Sequence, residues 1–161
     1  MNKSILLLMA SHTGNAESIA EELEETLTEA NYSVDLQDLT FCSDIDFLKE
    51  ATCILGVVST WGEGDPPDDA TPFFDALKSA DSLALPSTPF SVLGLGDTSY
   101  EQFCECGKEL ERQLQRHGGE AFLPRVDCDT WYEEEVETWT RDLLRVLPEL
   151  SGEAKVTEVN A

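Results

Sequence analysis

Hydrophobic and polar positions alternate between two periods along the chain. Ile5–Met9 is an unbroken apolar run, as expected of a strand covered on both faces. From Asn15 to Ala30 the period changes to that of a helix. Ala16, Ile19, Ala20, Leu23, Leu27 and Ala30 form one stripe, and Glu17, Glu21, Glu24, Glu25 and Glu29 fill the rest. Tyr32–Leu39 alternates with Val34 and Leu36 on one side, the pattern of an edge strand. Thr52–Ser59 and Pro89–Gly96 are two further buried strands. Between them Thr71–Ala80 is a short helix with Pro72 in its first turn. Glu101–His117 is predicted as a helix with Phe103, Leu110 and Leu114 inward, stopped by Gly118-Gly119. Glu120–Asp127 is the last strand. A closing helix spans Tyr132–Leu147, carries Val136, Trp139, Leu143 and Val146, and ends before Pro148.

Five strands separated by helices argue for an α/β domain with a parallel sheet and helices on both faces. Its 161 residues fit one domain, placed at 1–150, with no internal repeat. The polar tail 151–161 is expected to be flexible, or the stump of a linker.

Charge changes the picture. Thirty-three Asp and Glu face ten Lys and Arg, a net charge of -23. Such a surface repels nucleic acid and anionic membranes and would attract a basic protein. Solubility alone would also account for it. The five Cys contain no C-x-x-C pair and only two His are present, so neither a disulfide framework nor a metal site is expected. Ser4–Ala10 is too short to cross a bilayer, and the polar SHTGN after it is unlike a signal cleavage site. A reducing cytoplasm is the expected location.

In a doubly wound sheet, ligands sit beyond the carboxyl ends of the strands. Three loops there are polar and rich in Gly: SHTGN, TWGEGD and LGDTSY. The first joins a strand to a helix start, where unpaired amides and the helix dipole favour an anion. Ser11, Thr13 and Asn15 add neutral donors, and Gly14 lets the backbone bend. Simple capping by Thr13 or Asn15 is the competing reading. The second loop carries Trp61 between flexible positions, Gly62 and Gly64, with Glu63, Asp65, Asp68 and Asp69 nearby. Trp61 either stacks on a flat ligand or folds back on the protein. The third offers Tyr100, Asp97 and Thr98. Together they describe a pocket for a phosphorylated, flat, three-ring molecule.

SHTGNAE, STWGEGDPPDDA, GLGDTSYEQFCECGKELERQL and GGEAFLPRVDCD resemble the flavodoxin-like FMN domains of diflavin reductases. Among these the FMN domain of the sulfite reductase flavoprotein subunit is nearest, and the likeness covers about Ser4 to Leu147. The resemblance implies a five-stranded parallel sheet in the order 2-1-3-4-5 and FMN as cofactor. It implies that Ser11, His12, Thr13, Gly14, Asn15 and Ala16 hold the phosphate. Ser59, Thr60, Trp61, Gly62, Glu63 and Gly64 would line one face of the ring, with the Gly62 carbonyl able to turn towards flavin N5. Leu95, Gly96 and Asp97 would meet the ring edge and ribityl chain, and Tyr100 would stack outside, followed by Phe103 and Cys104. Asp127 matches a carboxylate near the flavin, with Asp129 competing. Packing is the competing role for Cys104. Sulfite reductase relatives carry Gln where this chain has Trp61, which bears on how tightly the ring is stacked.

No residue needs to act as acid, base or nucleophile, because FMN supplies the redox chemistry. No metal is implied. The expected function is that of a redox carrier rather than an enzyme with its own substrate. It would shuttle single electrons from an NAD(P)H-dependent flavin reductase to an acceptor protein, docked through the acidic surface, as a monomer. With no counterpart of the FAD and NADPH-binding module in these residues, a free-standing short flavodoxin is the first expectation. An FMN domain or split subunit of a diflavin reductase is the second, and a cofactor-free acidic interaction module the third. A phosphoacceptor receiver would need an Asp after the third strand and a Lys after the last, where VVSTWGEG and PRVDCD stand.

Overall fold

The computed structural model describes residues 4–11, 14–42, 44–60, 70–97 and 104–150. Among these residues six strands and four α-helices follow in the order β1 (Ser4–Ala10), α1 (Asn15–Glu29), β2 (Ser33–Asp38), β3 (Ile54–Ser59), α2 (Thr71–Ser79), β4 (Pro89–Leu95), α3 (Glu105–Arg116), β5 (Glu120–Ala121), β6 (Val126–Cys128) and α4 (Glu133–Leu150). All their pairings are parallel, in the order β2-β1-β3-β4-β5, with β6 also beside β4.

Alternation along each strand divides the core between two faces. Ile5, Leu7, Met9, Leu55, Val57 and Leu93 pack under α1 and α4. Leu6, Leu8, Ile54, Val58, Phe90 and Val92 pack under α2 and α3. Trp139 of α4 is buried, and its indole N–H donates to Ser91 Oγ at 2.9 Å. On the other face α3 lies close to the sheet because glycines meet there. A Cβ on Gly107 would come within 3.1 Å of Gly94 Cα, and one on Gly56 within 2.7 Å of Leu110.

The structure corrects four expectations from the pattern. The last strand is two pieces, since four residues (122–125) separate them against two (91–92) on β4. Pro124 lies in that gap and has no N–H for a ladder. Among the described residues no α-helix joins β2 to β3. Two 3-10 turns, Leu39–Phe41 and Asp46–Glu50, stand there instead. Asp38 and Asp44 carboxylates accept from the Thr40 and Asp46 N–H groups at 3.0 and 2.9 Å, which closes each turn locally. The third helix starts at Glu105, behind Cys104 at φ 54, a left-handed residue that a helix cannot include. Residues 101–103 lie outside the described residues. The closing helix starts at Glu133 and continues through Pro148 to Leu150. Trp139, Leu143 and Leu147 recur on its buried face, and that packing outweighs one proline near the end. The tail 151–161 lies outside the described residues.

Candidate functional site

The parallel register ends β1, β3, β4 and β6 along one edge. Ala10 pairs with Val58, Ser59 with Leu95, and Leu95 with Cys128. Beyond the strands the ladder runs one residue further. Thr60 N–H donates to the Leu95 carbonyl, and Gly96 N–H to the Cys128 carbonyl, both at 2.9 Å. Ser11, Thr60, Gly96 and Asp129 therefore begin their loops side by side. β1 lies between β2 and β3, so the chain leaves it in opposite directions on its two sides. That reversal is where an open α/β sheet forms a crevice.

Ser11 Oγ accepts from the Gly14 N–H at 2.8 Å, folding the first loop back to the start of α1. Gly14 is the N-cap, at φ 94 and ψ -9, so no side chain stands at the capping position. Among the described residues a Cβ there would meet nothing within 4 Å. Space beside Gly14 and the first-turn amides of α1 together suit a phosphate held by neutral donors. Asn15 is exposed, whereas Ala16, in the first turn of α1, is wholly buried and can offer only its amide. His12 and Thr13 lie outside the described residues.

Thr60 Oγ1 accepts from the Cys106 N–H at 2.9 Å, tying the end of β3 to the first turn of α3. Ser59 is buried, and the Leu95 side chain lies in the core. Gly96 has no room for a side chain, since a Cβ would lie 2.8 Å from Cys104 N. Asp97 is half-buried. Trp61, Gly62, Glu63, Gly64, Tyr100 and Phe103 lie outside the described residues; their flanking residues Thr60, Ala70, Asp97 and Cys104 belong to this edge.

Cys104 is fully buried, with Sγ 3.5 Å from both the Gly94 and Cys128 carbonyls. Burial, and then the charges of Asp127 and Cys128, push its thiol up to about 12. It is a neutral group at ordinary pH. Burial, followed by Glu135 and Asp127, likewise pushes Cys128 up to about 12.

Asp127 is half-buried and faces Arg125, which donates Nε to Oδ1 at 2.8 Å and Nη2 to Oδ2 at 3.2 Å. Arg125 also holds Glu111 of α3 through a short ion pair. These bonds, Asp127 first, keep the guanidinium charged. Asp129 Oδ1 accepts instead from the Thr130 N–H at 2.8 Å. Pattern reasoning overlooks Arg125. Its signal is the Arg-x-Asp spacing, which puts both side chains on one face of an extended segment.

The family model for flavodoxin matches residues 7–139. The chain belongs to the flavodoxin family, whose members carry FMN and transfer electrons. The sulfite reductase [NADPH] flavoprotein alpha-component of Bacillus subtilis is 40% identical over 156 residues, which is 94% of this chain and 25% of that protein. The same component from Zymomonas mobilis is 40% identical over 159 residues, 98% of this chain and 26% of its own length. The chain thus spans about a quarter of these relatives. Among solved structures, a flavodoxin of Streptococcus pneumoniae TIGR4 superposes with a TM-score of 0.75 at 28% identity, covering 93% of this chain and 99% of that one. Oxidised flavodoxin 1 of Bacillus cereus gives 0.74 at 26% identity, covering 92% and 97%. The expected fold, strand order and cofactor are those of the family, and the open side of Gly14 fits the phosphate end of FMN.

Proposed function

We propose that the chain is a one-electron carrier that takes electrons from an NAD(P)H-dependent flavin reductase and passes them to an acceptor protein. The observation that carries this reading is the convergence of Ser11, Gly14–Ala16, Thr60 and Gly96–Asp97 on one strand edge, at the reversal point of the sheet. FMN bound there supplies the redox chemistry. The residues of this chain bind and orient it. Ser11 fixes the Gly14 turn, and the α1 amides receive the phosphate. Thr60 and Gly96 hold the backbone on which the ring edge would rest. Trp61 and Tyr100 are assigned to the two ring faces.

The acidic surface would steer a basic partner to this edge, quickly and with a strong salt dependence. Exposed Glu133 and Glu134 begin α4, the helix that follows β6 at the carboxyl edge of the sheet. A free-standing carrier is the first form of the proposal. The 40% identity to sulfite reductase flavoproteins favours a second form, in which this chain serves as the FMN unit of a two-flavin reductase.

Purification followed by heat release of the chromophore tests the cofactor, with stoichiometric FMN expected. Anaerobic reductive titration then tests the carrier role, with two separated one-electron steps expected. A colourless protein that takes up no added FMN would overturn the proposal and leave an acidic interaction module. Electron-transfer rates to a basic partner that do not fall with added salt would overturn the docking part.

A further inference from the structure

Helices α1 and α4 lie on the same face of the sheet, and both start at the carboxyl edge. Between them runs an open groove of about 490 Å³. Ile19 and Leu23 of α1 and Val136 and Leu144 of α4 supply its apolar floor. Leu144 remains 37% exposed. Tyr132 closes the end nearest the carboxyl edge, and the residue before it, Trp131, is 85% exposed. A Trp left in water one residue before a groove-lining Tyr is the residue type that anchors protein interfaces.

The rim decides the partner. Among the described residues, Glu22, Glu133 and Glu137 line the groove against one cation, Arg141, which is already paired with Glu137 at 3.4 Å. A second copy of the chain would bring its own net charge of -23 and be repelled. The tail Ser151–Ala161 brings Glu153 and Glu158 against Lys155, also the wrong sign. At 1.5 Å per residue, the stretch from Tyr132 to Leu144 is about 18 Å long, enough for about three turns of a third helix.

We propose that the α1–α4 groove is a docking cleft for a basic amphipathic helix of a partner protein, its apolar stripe on Ile19, Leu23, Val136 and Leu144 and its cations on Glu22, Glu133 and Glu137. A helix laid in an apolar groove is a common recognition mode. Because the groove opens beside the strand edge that carries the candidate flavin loops, such a helix would fix the partner's orientation there. The groove is built without any flavin-loop residue, so it stands apart from the carrier reading.

The test is amide mapping by NMR on the full 15N-labelled chain, as purified. The probe is a synthetic helix of about twelve residues with a Leu stripe on a Lys background. The control has Ala in place of Leu and the same charge. Saturable shifts are expected along Ile19–Thr26 and Tyr132–Leu144 with the Leu/Lys peptide and not with the Ala/Lys peptide. Glu22→Lys and Leu144→Ser are expected to weaken binding between about three- and tenfold. Glu50→Lys makes the same charge change on an exposed turn elsewhere and is expected to weaken it less than about twofold. No binding, equal binding of both peptides, shifts spread over the whole acidic surface, or equal losses at Glu22 and Glu50 would each overturn the proposal. Flavin content is read separately by absorbance, so either reading can fail alone.

Discussion

The two ends of the parallel sheet are built differently. At the amino end, α2 and α3 finish side by side and the chain seals itself. His117 is fully buried. Its Nδ1 accepts from the Leu83 N–H at 3.0 Å, which leaves Nε2 to donate to the Leu77 carbonyl at 2.8 Å. Arg116 donates to the carbonyls of Leu77, Lys78 and Ala80 at 2.7, 3.3 and 3.0 Å, satisfying the last carbonyls of α2. At the carboxyl end, a Cβ on Gly14 would meet nothing within 4 Å among the described residues, and Gly14 as N-cap brings no side chain to the α1 amides. At the amino end the polar groups close onto the protein, whereas at the carboxyl end the Gly14 cap brings no side chain of its own to the first-turn amides of α1. Function in such a fold sits on the second kind of edge because the first kind already holds the scaffold rigid.

Two glycines sharpen this contrast most. Gly118 and Gly14 both have positive φ, 104 and 94. A Cβ on Gly118 would fall 2.4 Å from the Leu85 carbonyl oxygen, whereas one on Gly14 meets nothing within 4 Å among the described residues. Gly118→Ala is expected to destabilise by about 3 kcal/mol or more, backbone strain and clash together. Gly14→Ala should cost only about 1 kcal/mol, the strain alone, while weakening FMN binding. Urea midpoints checked with FMN titrations separate the two; equal losses of stability would break the comparison.

His117→Ala would orphan the Leu83 amide and leave the Leu77 carbonyl to Arg116 alone, for an expected loss of about 1–3 kcal/mol in urea unfolding, with FMN affinity unchanged. A matching loss of FMN affinity would show that the two ends are coupled.

The buried thiols give a pH dependence. Burial raises Cys53 from 9.0 to about 12, and Cys104 and Cys128 are raised likewise. Their folded values exceed the unfolded ones, so the stability they add is complete below pH 9 and is lost as pH rises towards 12. The urea midpoint should fall across that window and fall less steeply in Cys53→Ala. An unchanged slope would sink this account.

The smallest effect is expected away from both ends. Lys49 and Asp46 pair at 3.6 Å with both side chains more than half exposed. Lys49→Ala should change stability by less than about 0.5 kcal/mol in the same urea assay.

Much of the scaffold is legible in the residues alone. The apolar runs place β1, β3 and β4, because strands buried on both faces need no polar positions. The stripe through Trp139 and Leu143 points α4 inward, and Gly118-Gly119 marks the end of α3. The loop motifs name Ser11, Gly14, Thr60 and Gly96, and the fold brings these to one edge. Arg125 escapes such reasoning, because its importance depends on Glu111 arriving from α3. The break in the last strand escapes it too, since Pro124 alone does not say how many residues its partner strand will use.

By itself, the sequence determined the period of each segment, the sign of the surface and the family, since these depend only on residue type and spacing. Tertiary structure decided the rest. It brought Arg116 and His117 across to the end of α2, put the Cys104 thiol on two backbone carbonyls, and opened the groove between α1 and α4. Each depends on contacts between residues far apart in the chain, and only packing sets those distances.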